Sequence, residues 1–101
     1  MKLEGHYRLL ADYFNEHTDY EMNEGNVTDC RREYDKYSHT AYRYVIAEEG
    51  SLQMECQHKE SKQWGEEGEW IICKVWDRSK DKYLLAAKEE VELFFGESDI
   101  I

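Results

Sequence analysis

The fold is decided by residues 41–57, which read AYRYVIAEEGSLQMECQ. The first seven are rich in β-branched and aromatic types, and after a link that contains Gly50, the residues Leu52, Met54 and Cys56 alternate with polar ones. Alternation with a period of two is typical of a strand that buries one face, and a short glycine-containing link between two such runs predicts a hairpin. Two antiparallel strands are therefore expected here.

Further strands are expected on the C-terminal side of this hairpin. Residues 70–76, WIICKVW, have the composition of a buried or two-faced strand. After a polar turn over residues 77–82, residues 83–87 can pair back onto it, whereas residues 27–37 are ambiguous. Because parallel neighbours need a crossover of about a dozen residues or more, these short connections impose antiparallel pairing.

Helices are expected at both ends of the chain. Leu3, Tyr7, Leu10 and Phe14 recur at helical spacing and predict an amphipathic helix over residues 2–17. Residues 18–26 carry turn formers and acids and predict an exposed loop. A short second helix is expected from Lys88 to Phe95, closed by Gly96, with its core-facing residues at Val91, Phe94 and Phe95.

These elements predict a single α+β domain over residues 1–101. Its expected architecture is an antiparallel sheet of four or five strands, flanked by an N-terminal helix and a short C-terminal helix that cover one sheet face. The chain contains no proline. Nothing in the composition therefore prevents an edge strand from pairing with another copy, and a homodimer is compatible with the sequence.

The charge of the chain is strongly acidic. Asp and Glu number 23 against 13 Lys and Arg, which gives a net charge of −10 at pH 7. Acidic blocks at residues 11–30, 45–69 and 83–101 alternate with basic strips at 31–44 and 70–82. Because binding to nucleic acid or anionic lipid needs a basic surface, we expect no direct contact with nucleic acid and none with membranes.

The cysteine pattern and the N-terminal sequence favour the cytoplasm. Cys30, Cys56 and Cys73 are odd in number and widely spaced, unlike a disulfide framework. The sequence shows no signal-peptide pattern at residues 1–6 and no apolar run of the ~20 residues needed to span a bilayer.

The cysteines and histidines are compatible with a metal site or a catalytic site, but simpler interpretations are favoured. Cys56 and His58, with Cys73 nearby and Cys30 or His39 as a further ligand, could hold zinc, but zinc sites usually show two close ligand pairs, and a core cysteine is favoured. No nucleophile motif accompanies the histidines, which are interpreted as exposed: His6, His17, His39 and His58. No cofactor and no enzymatic activity are expected.

Aromatic residues are frequent, at 14% of the chain. Stacking platforms for single-stranded nucleic acid lie in positively charged grooves, which the overall charge opposes. Core packing, with some of these side chains serving as protein-binding hot spots, is the favoured interpretation. The residues concerned are Tyr34, Tyr37, Tyr42, Tyr44, Trp64, Trp70 and Trp76.

Four groups of carboxylates are candidate partner-binding residues. Carboxylates at i,i+3 or i,i+4 on a helix lie about 5–6 Å apart, and alternate strand positions about 6.6–6.8 Å apart. These separations are of the same order as those between successive phosphates of a DNA strand. The groups are Glu16, Asp19, Glu21 and Glu24; Glu48 and Glu49; Glu66, Glu67 and Glu69; and Glu89, Glu90 and Glu92.

A small, proline-free, aromatic-rich and strongly acidic chain resembles the DNA-mimic inhibitors that bacteriophages direct against host DNA-binding proteins. Inhibitors of the histone-like nucleoid protein HU are the most similar in character. The resemblance implies a non-enzymatic protein in the host cytoplasm whose partner is a basic nucleic-acid-binding protein. The basic strips depart from a uniformly acidic mimic, so the mimicry would have to be one-sided. A regulator or assembly factor that binds through aromatics and a small carboxylate-based hydrolase are the alternatives.

Overall fold

The computed structural model describes residues 1–61 and 69–90. One helix is followed by five strands: α1 Gly5–His17, β1 Val27–Asp35, β2 Thr40–Glu49, β3 Leu52–Ser61, β4 Trp70–Asp77 and β5 Lys82–Glu90. The strands form one antiparallel sheet in chain order. The α+β class, the N-terminal helix and the antiparallel sheet are confirmed, and the ambiguous residues 27–37 contain β1.

Helix α1 lies on one face of the sheet, against β2 and β3. Its predicted apolar stripe forms the centre of the core, where Leu10 and Phe14 are fully buried. They belong to one cluster with Val45, Met54 and Ile71, which alternate with outward-facing residues along their strands. No helix in the described part of the chain is long and apolar enough to cross a membrane.

The β2–β3 hairpin is closed by the two residues between paired Glu49 and Leu52. Gly50 occupies the first of these positions with φ of +59°. A positive φ at the first loop position but not at the second, Ser51, is typical of the type II′ turn, whose twist matches that of the flanking strands. Glycine is favoured there because it has no Cβ to clash in this conformation.

The β1–β2 and β4–β5 hairpins have loops of the same length and hydrogen-bonding pattern. A four-residue loop follows Asp35 in the first and Asp77 in the second. Each aspartate accepts a hydrogen bond from the backbone N–H two residues on, at 2.9 Å in both loops. Each loop ends in a left-handed residue, His39 with φ of 53° and Asp81 with φ of 50°.

The loop over residues 18–26 is irregular, as predicted, but it is firmly attached. The Asn15 amide donates to Met22 O at 2.9 Å and accepts from Met22 N at 2.7 Å. The Met22 side chain is buried in the core. A second bond joins Leu3 N to Glu24 Oε2 at 2.8 Å. The loop therefore presents its acidic side chains from a fixed backbone.

The prediction of a C-terminal helix is wrong for residues 88–90, because these residues form the end of strand β5. Their backbone pairs with β4, where Lys88 faces Ile72 and Glu89 faces Ile71. The Lys88 ammonium also lies 4.1 Å from the ring centroid of Trp70. Helix propensity is a weak local preference that such tertiary contacts override. The remainder of the predicted helix, with Val91, Phe94 and Phe95, lies outside the described residues.

Candidate functional site

Uncompensated carboxylates gather on the α1 side of the molecule. We call Asp12, Glu16, Asp19, Glu21 and Glu49 the acidic run. All five are exposed, and no ion pair within the described residues involves any of them. Asp12 and Glu16 lie one helical turn apart on the outer face of α1, which places their side chains about 5–6 Å apart.

The acidic run continues from the helix onto the β2–β3 hairpin through Asn26. The Asn26 amide donates to Glu21 O at 2.9 Å and lies 3.5 Å from Glu49 Oε2. The loop and the hairpin end are also joined by Glu48 N, which donates to Asn26 O at 3.0 Å. Two of the predicted carboxylate groups thus meet at one end of the sheet.

Other predicted partner-binding carboxylates have structural contacts of their own. Glu24 accepts the bond from Leu3 N, and Glu48 forms a short ion pair with Arg78. Glu69 Oε2 lies 3.7 Å from His58 Nε2. Glu89 accepts a hydrogen bond from the Tyr13 hydroxyl, and burial together with this bond raises the pKa of Tyr13. Glu66, Glu67 and Glu92 lie outside the described residues, as does the side chain of Glu90.

A buried polar cluster connects α1 to the sheet. Arg43 on β2 donates to Glu60 Oε1 on β3 at 2.7 Å and to His6 Nε2 on α1 at 3.0 Å. His58 stacks on His6 with ring centroids 5.7 Å apart. All four residues are buried, so the interpretation of His6 and His58 as exposed is wrong. A buried ion pair of this kind costs several kcal/mol when one partner is removed.

Sequence reasoning missed Arg43 and Glu60, although a signal was present. Arg43 lies in the buried phase of β2 with Val45, and Glu60 lies in the buried phase of β3 with Cys56. Charged residues are almost never fully buried unless they are paired. Opposite charges in the buried phase of two adjacent strands therefore indicate an internal ion pair.

The same cluster has the donor set of a metal site. Donor atoms of His6, His58 and Glu60 lie within 4.8 Å of one another, and His6 Nε2 is 3.4 Å from Glu60 Oε1. Tetrahedral zinc with bonds of about 2.0–2.1 Å would separate its donors by roughly 3.3 Å. The Arg43 nitrogen already bonds both the His6 nitrogen and the Glu60 oxygen. A metal ion would therefore have to displace a buried guanidinium, and we assign the cluster to anchoring α1.

The cysteines pack as core residues. Cys56 and Cys73 are buried cross-strand neighbours, and the Cys56 thiol donates to Leu10 O at 3.4 Å. The hydrogen bond with Cys73 and burial raise the pKa of Cys56, whereas the same bond lowers the pKa of Cys73, so Cys56 is held as a protonated thiol. His39 lies in the exposed β1–β2 loop, and Cys30 is half-buried on β1. The described residues therefore favour the core interpretation over the zinc site.

The sheet face that points away from α1 has a different composition, and we call it the open face. Cations nearly balance its carboxylates, with Arg31, Lys59, Lys74 and Lys88 against Asp29, Glu33, Asp35, Glu48 and Glu55. Ion pairs join Asp29 and Glu33 to Arg31 and Glu48 to Arg78. Its large side chains are half-buried: Tyr42, Tyr44, Ile46, Trp70, Ile72 and Trp76. The acidic surface of the molecule is therefore one-sided.

Cations cover two rings of the open face, those of Trp70 and Tyr44. Lys59 Nζ lies 4.7 Å from the Trp70 centroid on β4, and the Arg31 guanidinium lies 4.9 Å from that of Tyr44. Such contacts occupy ring faces that a stacked base would need. Of the aromatics singled out in the sequence, Tyr34 and Tyr37 are the exposed ones, at 56% and 89%. Trp64 lies outside the described residues.

Comparisons with known proteins give no match: no protein-family model, no curated protein and no solved structure resembles this chain.

Proposed function

We propose that the protein is a non-enzymatic binding protein whose acidic run occupies the basic nucleic-acid-binding surface of a partner protein, in place of DNA. The observation that carries this proposal is the collection of five exposed carboxylates on one side of a molecule with a net charge of −10. Attraction between complementary surfaces of this kind accelerates association and excludes partners of like charge.

The backbone under the acidic run is held in place before binding. The paired hydrogen bonds between Asn15 and Met22 and the bonds of Asn26 fix the loop that carries Asp19 and Glu21. Ordering a loop on binding costs free energy, and a loop that is already ordered avoids much of that cost. Carboxylates on a fixed backbone, with Asp12 and Glu16 one helical turn apart, suit a binding surface that normally tracks the phosphates of a DNA backbone.

The position of Glu16 also supports a role in binding. Glu16 lies in the last turn of α1, where the helix dipole disfavours negative charge, and the first turn contains no acid. Asp19 follows the same helix end. Carboxylates placed against the dipole lower the stability of the free protein, so a contribution to folding does not account for them.

Binding to purified HU, with duplex DNA as competitor, tests the proposal. We expect complex formation that DNA displaces and that weakens as ionic strength rises. The informative variant is Glu16→Gln/Asp19→Asn/Glu21→Gln. At about 0.2–1 kcal/mol for each exposed charge contact, the loss of three should weaken binding by about 3-fold to about 160-fold.

The matched control removes three carboxylates from the open face, as Asp29→Asn/Glu33→Gln/Glu55→Gln. It changes the net charge equally, so it should bind nearly as well as the unchanged protein. Equal weakening by both variants would reduce the effect to overall charge and overturn the proposed site. Salt-resistant binding that survives both variants would instead favour a regulator that contacts its partner through aromatics.

A further inference from the structure

The two edge strands of the sheet differ in how they are protected. The β1 edge carries five charged residues, at Asp29, Arg31, Arg32, Glu33 and Asp35, and Arg31 pairs with Asp29 and Glu33. The β5 edge has an uncharged centre from Tyr83 to Ala87. Charged side chains are a common means of preventing edge-to-edge pairing, and β5 lacks them where β1 has them.

The centre of β5 is also accessible. Tyr83 is 55% exposed and Leu84 is 38% exposed, and Ala86 and Ala87 are exposed as well. Within residues 1–61 and 69–90, β4 is the strand that pairs with β5, and no strand lies on its other side. In the part of the chain that the structure describes, this nine-residue strand therefore has an apolar centre whose outward-facing backbone N–H and C=O groups have no strand partner.

We infer that β5 pairs antiparallel with β5 of a second copy of this chain, about a two-fold axis through the Leu84–Ala87 stretch. The strand begins with Lys82 and carries Glu89 near its other end. Antiparallel pairing brings the Lys82 end of each copy against the Glu89 end of the other, so both ends of the interface have complementary charge. A self-complementary patch of this kind is what a two-fold interface requires.

This pairing joins the two sheets into one of ten strands. A two-fold axis normal to a continuous sheet keeps corresponding faces on the same side, so both copies of α1 lie on one face. A groove of about 360 Å³ separates Leu84 and Leu85 from the end of α1, and Glu16 and Asp19 line it. The acidic runs of the two copies therefore approach the dimer axis from the same side and form one longer acidic surface.

Sedimentation equilibrium of the full chain from about 1 to 500 μM provides the first test, and we expect a reversible monomer–dimer equilibrium. Successive backbone N–H groups point to opposite edges of a strand. Of the two variants Ala86→Pro and Ala87→Pro, one therefore removes an N–H that faces β4 and the other removes an N–H that faces away from β4, toward the second copy. The variant that loses the outward-facing N–H should keep the circular dichroism spectrum of the unchanged protein and raise the dimer Kd by at least about 100-fold.

Two proline substitutions at neighbouring residues of β1, the other edge strand, provide the control. The outward-facing member of Arg32→Pro and Glu33→Pro should leave dimerisation unchanged. A wild-type chain that remains monomeric at 500 μM, or a dimer that persists in the outward-facing β5 variant, would overturn the inference. Loss of the dimer in the β1 variant would do the same.

A second measurement does not depend on any variant. In a mixture of isotope-labelled and unlabelled chains, isotope-filtered NMR should show intermolecular contacts between backbone protons of Leu84–Ala87 in the two copies. A dimer whose intermolecular contacts lie on β1 or on the open face would contradict the proposed pairing. Neither measurement involves a binding partner, so the inference can fail while the proposed function stands.

Discussion

At the scale of single residues, His58 shows how burial controls protonation in this core. Burial lowers the pKa of His58 to about 4; nearby His6 and Arg43 act in the same direction, and the Glu60 carboxylate opposes them. His58 is therefore neutral at pH 7. Its approaches to Glu60 at 3.8 Å and to Glu69 at 3.7 Å are then not ion pairs. The charged pair in the cluster is Arg43 with Glu60.

This neutral histidine predicts a pH dependence of stability. In the unfolded chain His58 has an ordinary pKa near 6.5, so between about pH 6.5 and 4 the unfolded state binds more protons than the folded state. The free energy of unfolding should therefore fall as the pH is lowered through this range. His58 alone should lower the free energy of unfolding by about 2 kcal/mol at pH 5, and by about 3 kcal/mol once the pH is below its folded-state pKa.

Urea unfolding at pH 6.5, 6.0, 5.5 and 5.0 measures this contribution. His58→Gln should reduce the slope of unfolding free energy against pH, and the exposed His39→Gln should leave it unchanged. Identical slopes in the two variants would contradict the assignment. An NMR titration provides an independent check, since the His58 ring should remain neutral down to about pH 4.

At the scale of elements, local sequence predicted those structures whose pattern is itself local. The apolar spacing of Tyr7, Leu10 and Phe14 was sufficient to predict α1, and alternation was sufficient for β2 and β3. The predicted start at residue 2 is wrong, because Glu4 is extended and the helix begins at Gly5, so Leu3 joins the core from outside the helix. At residues 88–90 the sequence Lys-Glu-Glu favours a helix, but pairing with β4 determines the outcome. The Arg43–Glu60 bond was not predicted for the same reason, because it depends on how strands and helix meet.

The β2–β3 turn gives a prediction at this scale. A Cβ added at Gly50 would meet no atom within 4 Å, so the cost of Gly50→Ala comes from its φ of +59° rather than from a clash. We expect the free energy of unfolding to fall by about 1 kcal/mol. Urea denaturation measures it, with Gly50→Asn as the control, because asparagine adopts the left-handed conformation more readily than alanine and should cost less. Equal effects of the two substitutions would show that the left-handed turn imposes no constraint.

At the scale of the whole molecule, the total charge could be read from the sequence but its distribution could not. The chain alternates acidic blocks with basic strips, yet the fold brings Glu21 and Glu49 to one end and places Lys59, Lys74 and Lys88 together on the open face. Strand alternation separates residues that are adjacent in sequence, and sheet pairing joins residues that are distant. A one-sided acidic surface is therefore a property of the folded topology.

The acidic run should destabilise the free protein, because its carboxylates repel one another and two of them lie at the negative end of α1. At about 10 mM salt, where the Debye length is about 30 Å, Glu16→Gln/Asp19→Asn/Glu21→Gln should raise the free energy of unfolding by about 1 kcal/mol. At about 1 M salt the screening length falls to about 3 Å, and most of this gain should disappear.

The open-face variant Asp29→Asn/Glu33→Gln/Glu55→Gln changes the net charge by the same amount, but we do not expect it to raise the free energy of unfolding. Asp29 and Glu33 lie 2.8 and 3.3 Å from the Arg31 guanidinium, so their removal takes away favourable contacts and should leave stability unchanged or slightly reduced. Thermal unfolding of both variants at the two salt concentrations decides the matter. A stability gain confined to the acidic-run variant, together with its loss of HU binding, would mean that these carboxylates serve recognition at the expense of the fold.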